Sequence, residues 1–375
     1  MALLDQARPG RCGFRGTLDQ REGRAGPHDA VRTPRWLCLA AVTALAQARS
    51  LMRVTVAGDP LRAIAGYDVR HDCLMGTARV STDVRVFLGI VFGLPWALWV
   101  FEQIAGVRVL FFAAMLSVAV ATWVASRYVW RPVNIAEATA LLPVRPIGRT
   151  VRYCLLAFVL FIAMSALAVA LNAATGLYPA DLDGFSALRD VYGSGIAGGA
   201  GVPWELIGQA LAANALQFVL ILPLAFCEEW GWRGYLLNRM RERMGTWPAL
   251  ILIGVICGVW HLPFYVGPWF SMSGDAARSL LPFTIFCVFF GMVLGWLRLA
   301  AGSIWPAVVG HAVNNTLVFG FVQVVVADKA AEPRIDGWLT GLSGWQGWLI
   351  MLVPVAVLAA RTRASGADAA ADHHE

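Results

Sequence analysis

Two adjacent carboxylates, Glu228 and Glu229, end a long apolar run, and two histidines, His261 and His311, lie singly in two further apolar runs downstream. A charged side chain at the centre of a lipid-embedded helix costs about 2.5–3.5 kcal/mol on insertion scales, so ionisable groups on separate apolar segments point to a shared internal polar site. Glu229 and Arg233 are four apart with the acid first, the spacing that stacks both on one helix face, and are expected to pair. Glu228 is turned by about 100° from its neighbour at 3.6 residues per turn and is left as the free carboxylate. Out of water it is expected to accept a proton and activate a water molecule, with a neutral histidine as hydrogen-bond partner. Asn315 lies one turn beyond His311 on the same face and is expected to enter the same pocket, donating to the oxyanion formed when a carbonyl is attacked. Asn314 is rotated away and is expected to bond a neighbouring helix. That chemistry is amide hydrolysis. The simpler alternative is a solvated charge cluster at a membrane surface. His261 and His311 count against it, being the histidines inside apolar segments, whereas His28, His71, His373 and His374 lie near the ends of the chain.

The elements that must position these groups are apolar helices. Of 375 residues, 58% are hydrophobic and 14% charged, and the mean hydropathy is +0.62, outside the range of soluble globular domains. Segments of spanning length recur at 86–105, 107–126, 153–173, 206–227, 247–266, 280–298, 303–327 and 345–360. Each approaches or exceeds the roughly 20 residues that cross the hydrocarbon core. The expected fold is therefore an all-α polytopic membrane protein of eight transmembrane helices around a mid-membrane polar cavity, each backbone satisfied within its own helix. At 1.5 Å per residue, Glu228 lies about 16 Å from Arg239, His311 about 12 Å from Ser303 and His261 about 22 Å from Thr246, so all can meet at one depth.

Arg127, Arg131, Arg145, Arg149 and Arg152 fall between the second and third segments, while Asp181, Asp183 and Asp190 fall between the third and fourth. Positive loops stay inside, which places both termini in the cytoplasm and puts Arg239, Arg241, Arg243, Arg298, Arg361 and Arg363 on the same side. The net charge of +6 is gathered in those loops and the N-terminal stretch, with no basic stripe interleaved with aromatics, which excludes a nucleic-acid partner. Seven scattered cysteines without a CxxC pair argue against a disulfide framework or a thiolate zinc site; Cys227, beside the glutamates, reads as a small apolar residue. Residues 1–80 are rich in Gly, Arg, Asp and Pro without periodicity and are expected to be disordered or weakly structured. The apolar stretch 36–48 there reads as an interfacial helix, or translation starts at Met52 or Met75. The helical domain is expected over 81–363, followed by a disordered tail over 364–375.

Glu228-Glu229 with Arg233, the isolated His261, and His311 with Asn315 resemble the EExxxR, FxxxH and HxxxN motifs of the CAAX-processing and bacteriocin-processing intramembrane proteases, which include the type II CAAX prenyl endopeptidases. The resemblance extends over roughly 205–327. It implies Glu228 as the base that activates water, His261 and His311 as its positioning partners, Asn315 as oxyanion donor, and Glu229 with Arg233 as support. One position departs from the pattern: Cys257 stands where an aromatic is expected four residues before His261, and Trp260 and Phe264 are expected to supply the lost bulk. Glu228, His261 and His311 are also a credible zinc set. HExxH is absent, and an amide beside the second histidine suits an oxyanion donor better than a metal ligand, so the expected mechanism is metal-free with zinc as the alternative. The expected partners are the lipid bilayer and a peptide or protein substrate within it, and the preference for arginine over lysine fits a bacterial cytoplasmic membrane. A proton-coupled transporter and a non-catalytic scaffold or immunity protein of the same family are the competing readings.

Overall fold

In a computed structural model, the described residues are 80–107, 109–142, 147–193, 201–263, 276–330 and 340–371. All belong to one compact unit, Gly76–Glu375. The expectations for 1–79, including the stretch 36–48, and for Phe264 lie outside the described residues.

The principal helices, in chain order, are α1 (Thr82–Ala105), α2 (Val109–Val124), α3 (Ile147–Ala174), α4 (Trp204–Glu229), α5 (Thr246–Trp260), α6 (Ala276–Ala301), α7 (Trp305–Val313) and α8 (Trp345–Ala371). There is no strand among the described residues; the one extended pairing is an isolated bridge between Ala180 and Ala327. The pattern of burial is that of a protein dissolved in lipid. Leu155, Val159, Leu216 and Leu220 face outward, the last 64% exposed, whereas Glu228 is 2% and Glu229 0% exposed. In water such an arrangement would forfeit the apolar transfer energy that drives folding, about 25 cal/mol per Å². Five helices are long and apolar enough to cross a membrane: Thr82–Glu102, Phe112–Trp130, Ile147–Ala174, Trp204–Met244 and Leu280–Ala301. This is an integral membrane protein. On that criterion the eight expected crossings are not reached among the described residues. The apolar helices Thr246–Trp260 and Trp345–Val357 are shorter. The first is 15 residues, about 22 Å at 1.5 Å per residue against a core of about 30 Å.

Three helices pass into π-helical turns: α2 into Ala125–Trp130, α4 into Trp230–Leu236 and α7 into Asn314–Val322. The last two begin directly at the motif residues. A π turn bonds i to i+5, rotates the residues that follow it, and needs surroundings that hold it open. At α4 that support comes from α6: Arg298 donates through Nε to the carbonyl of Arg233 (3.1 Å) and through a terminal guanidinium nitrogen to Asn238 Oδ1 (2.8 Å). Arg298, expected as a cytoplasmic loop charge, is instead buried and bonded to the main chain. Arg239 is likewise engaged, with Nε 2.7 Å from Asp83 and its guanidinium over Trp130, while Tyr235 donates to the same Asp83 carboxylate at 2.9 Å. These bonds tie α1 to the continuation of α4.

Small residues let α5 and α6 approach closely. A methyl on Gly254 would run into Val288 Cα, and one on Gly258 would sit 2.7 Å from Thr284 Cα, a small-xxx-small seam of the kind that drives helix association in lipid. At the far end of the bundle Asn172 of α3 donates to Gln346 of α8 (2.5 Å) and accepts from the Gly341 amide (2.7 Å).

Candidate functional site

The site is assembled where α4, α5, α6 and α7 meet. Arg233 donates through Nη1 to Glu229 Oε1 at 2.8 Å, the i,i+4 pair that the spacing predicts. His311 of α7 reaches the same oxygen, its Nδ1 2.7 Å away. One glutamate thus binds a guanidinium from its own helix and an imidazole from another, and all three side chains are buried. A charge in so dry a place is tolerated when it is paired and hydrogen-bonded, and Glu229 is. Its other oxygen, Oε2, has no hydrogen-bond partner within the described residues. The bond at Nδ1 fixes the orientation of the His311 ring and leaves Nε2 as the nitrogen that can face a ligand.

The carboxylate that touches His311 is therefore Glu229, a contact that sequence reasoning missed. Spacing along one helix reveals only the partners on that helix. Glu228 is buried beside it, within electrostatic reach of His311, His261 and Glu229. His261 ends α5, its Nδ1 2.8 Å from the carbonyl oxygen of Cys257. The four groups Glu228, Glu229, His261 and His311 thus share one interior region, with Glu229 and His311 in direct contact.

The two amides lie against each other. Asn314, expected to turn away, is 2% exposed, and Asn315, expected to enter the pocket, is half-buried. The π turn starts at Asn314, whose amide N–H bonds to Gly310 and His311 carbonyls, so a constant 3.6-residue period no longer fixes which side chain follows His311. Asn314 donates to Asn315 Oδ1 at 3.1 Å, and its own Oδ1 is buried without a hydrogen-bond partner. Together the two amides form one unit beside His311.

The aromatic wall draws on both α5 and α6. Trp260 is packed against Trp99 and Trp232, and its indole donates to the Val91 carbonyl (2.9 Å), so it braces α1. Its ring also lies edge to face with His261 at 4.7 Å, and from α6 Phe283 lies 4.9 Å from His261 and Phe290 5.5 Å from His311, edge to face, with Phe286 stacked on Phe290 at 5.2 Å. The spacing 283, 286, 290 is a helical stripe, legible in the sequence but indistinguishable there from ordinary core.

For metal ligation, the donors gathered most closely among the described residues are Cys257, His261 and Cys287, whose ligand atoms all lie within 4.8 Å of one another. The zinc set expected from the motifs, Glu228 with His261 and His311, is not gathered in that way.

Residues 210–317 match the family described as type II CAAX prenyl endopeptidase Rce1-like. A curated relative, CAAX prenyl protease 2 of Methanococcus maripaludis, is 29% identical over 111 residues, covering 26% of this chain and 37% of the relative. The chain thus spans well under half the length of that relative. The match contains all three motifs, and it bears out their resemblance to the CAAX-processing and bacteriocin-processing proteases.

Proposed function

We propose that residues 81–363 form an intramembrane endopeptidase that hydrolyses a peptide bond of a membrane-associated substrate with water activated by Glu228. The observation that carries this reading is a carboxylate buried inside apolar helices, beside a histidine oriented by a second carboxylate and within reach of another histidine. Glu228 takes a proton from water as the oxygen attacks the carbonyl, His261 and His311 position the attacking water and the substrate, and Asn315, held by Asn314, donates to the oxyanion. Glu229 and Arg233 hold His311 in place. Preorganised donors are most effective where water is excluded, and removal of one typically costs about 100–1000-fold in rate. Eight crossings around a polar cavity open to lipid, with both termini in the cytoplasm of a bacterial cell, complete the reading; residues 1–80 and 364–375 stand outside the catalytic bundle.

The substrate is a chain whose scissile bond can reach that depth, such as a lipidated C-terminus, a leader peptide or the tail of a membrane protein. Comparing the N- and C-termini of the membrane proteome in cells carrying the native protein and its Glu228→Gln form tests this. New termini that depend on Glu228 are expected. Identical termini, with biological activity retained, would favour a non-catalytic scaffold.

A further inference from the structure

Cys257 occupies the position where the family pattern has an aromatic, and the structure gives that departure a consequence. One turn after Cys257 comes His261, and across the close α5–α6 seam, opened by Gly254 and Gly258, lies Cys287. The two sulfurs and a ring nitrogen of His261 all lie within 4.8 Å of one another. Cys257 and Cys287 are buried, while His261 is half-buried.

We propose that Cys257, His261 and Cys287 form a binding site for a soft divalent cation of the zinc and cadmium class, and that its occupancy withdraws His261 from peptide hydrolysis. Two sulfurs and one imidazole nitrogen are the donors that thiophilic cations prefer, and three protein ligands leave a fourth tetrahedral position for water. Metal–sulfur bonds of about 2.3 Å set tetrahedral sulfurs roughly 3.8 Å apart, so the present spread of 4.8 Å or less closes with side-chain adjustments of about 1 Å. On binding, each thiol loses its proton to solvent and forms one metal–sulfur bond; two protons leave, and nothing is oxidised. Two thiolates then balance the charge of the dication. A neutral cluster is what a low-dielectric interior tolerates, whereas a dication held by neutral donors alone would bear the full cost of desolvation. The site differs from the motif-based set in its two sulfurs and in excluding Glu228 and His311; it shares only His261. Its presence does not depend on the peptidase reading, but its effect on turnover does.

The test titrates the full-length protein in detergent, under a phosphine reductant that excludes a disulfide, with Cd²⁺ and follows the thiolate-to-cadmium absorption in the ultraviolet. One Cd²⁺ per chain is expected, with Cys257→Ala and Cys287→Ala each weakening binding by more than about 100-fold, beyond the loss typical of altering an outer-shell partner. Serine at the other five cysteines should leave the titration unchanged. Cys287→Ser, closer in shape to the native residue, guards against misfolding and should weaken binding likewise. In a cleavage assay, Cd²⁺ should inhibit the native protein reversibly, with recovery on chelation, while the cleavage shown by Cys287→Ala, measured against its own metal-free rate, resists the metal. Tight binding that survives in the Cys257→Ala/Cys287→Ala double variant, or that needs the other five cysteines, overturns the site. If no form cleaves peptide yet the spectrum appears and is lost with either cysteine, the peptidase reading fails and the metal site stands.

Discussion

The interior polar groups fall into two regions with opposite bonding. On the α4–α7 side, Glu229 is held by Arg233 at 2.8 Å and by His311 at 2.7 Å, so one carboxylate is gripped from two helices. On the α5–α6 side, His261 lies near two thiols, a backbone carbonyl and aromatic rings, with Glu228 within electrostatic reach. The first region is built for rigidity: removing any member leaves another buried and uncompensated. The second is built from weak donors and polarisable groups that can rearrange around a water molecule, a substrate or an ion. Catalysis needs both, a fixed imidazole to orient the reacting atoms and an adaptable neighbour to exchange protons.

The sharpest way to break that contrast is at the histidines. His261→Ala should reduce cleavage by about 10²–10⁴-fold, the range for a positioned acid–base group, with little change in the melting temperature because its partners remain satisfied. His311→Ala should reduce cleavage as strongly and also lower the melting temperature, because Glu229 loses a partner. A melt of each purified protein beside its cleavage rate separates the two; equal thermal effects would erase the proposed difference between the regions. Next comes Arg233→Ala, which leaves Glu229 buried without its guanidinium. Breaking one side of a buried pair costs about 3–5 kcal/mol, so the variant should be lost mainly through stability, read by detergent melting. Replacing the pair together, Glu229→Gln with Arg233→Met, should recover part of that stability and restore no cleavage.

The amide pair gives a smaller, sharper comparison. Asn315→Ala should slow cleavage by about 100–1000-fold, as removal of an oxyanion donor does. Asn314→Ala should act less, through the orientation of Asn315, and Asn314→Asp, which keeps an oxygen but loses the donor, should resemble it. A larger rate loss at Asn314 than at Asn315 would exchange their roles. Smallest of all is an effect far from the site. Asp181 accepts from the Gly184 amide at 2.6 Å and from the Ser186 amide at 3.0 Å, and the Gly184 bond is the main reason its carboxyl lies below the usual 3.8. A lowered folded value means the carboxylate's contribution is present above the unfolded value and is lost as pH falls through the lower folded one. The protection factors of the Gly184 and Ser186 amides, each taken relative to the intrinsic exchange rate at the same pH, should therefore fall in acid and in Asp181→Asn, with cleavage at neutral pH unaltered.

The sequence makes legible whatever depends on one segment. Apolar length identifies the helices, and the four-residue spacing identifies the Glu229–Arg233 pair. The loss comes where a property belongs to two segments or to a change of helical period. His311 approaches Glu229 because α7 packs beside α4, and no local pattern encodes that. The two amides open a π turn, where a constant 3.6-residue wheel no longer holds. Arg298 and Arg239 count as loop charges by composition but are bonded to Arg233, Asn238 and Asp83, since an arginine can run its apolar stem along a helix and bind inward. The absence of a CxxC pair argued against thiolate ligation, yet Cys257 and Cys287 meet across the α5–α6 seam, where sequence separation carries no information about distance.

The most direct measurement is peptide cleavage by purified Glu228→Gln protein, compared with the native protein at equal folded concentration and equal melting temperature. Glutamine keeps the shape and the hydrogen-bonding capacity of the side chain but cannot take a proton from water. The account predicts a loss of about 10²–10⁴-fold in rate with the fold intact. Cleavage at the native rate would contradict it, because the carboxylate placed at the centre of the chemistry would then be dispensable.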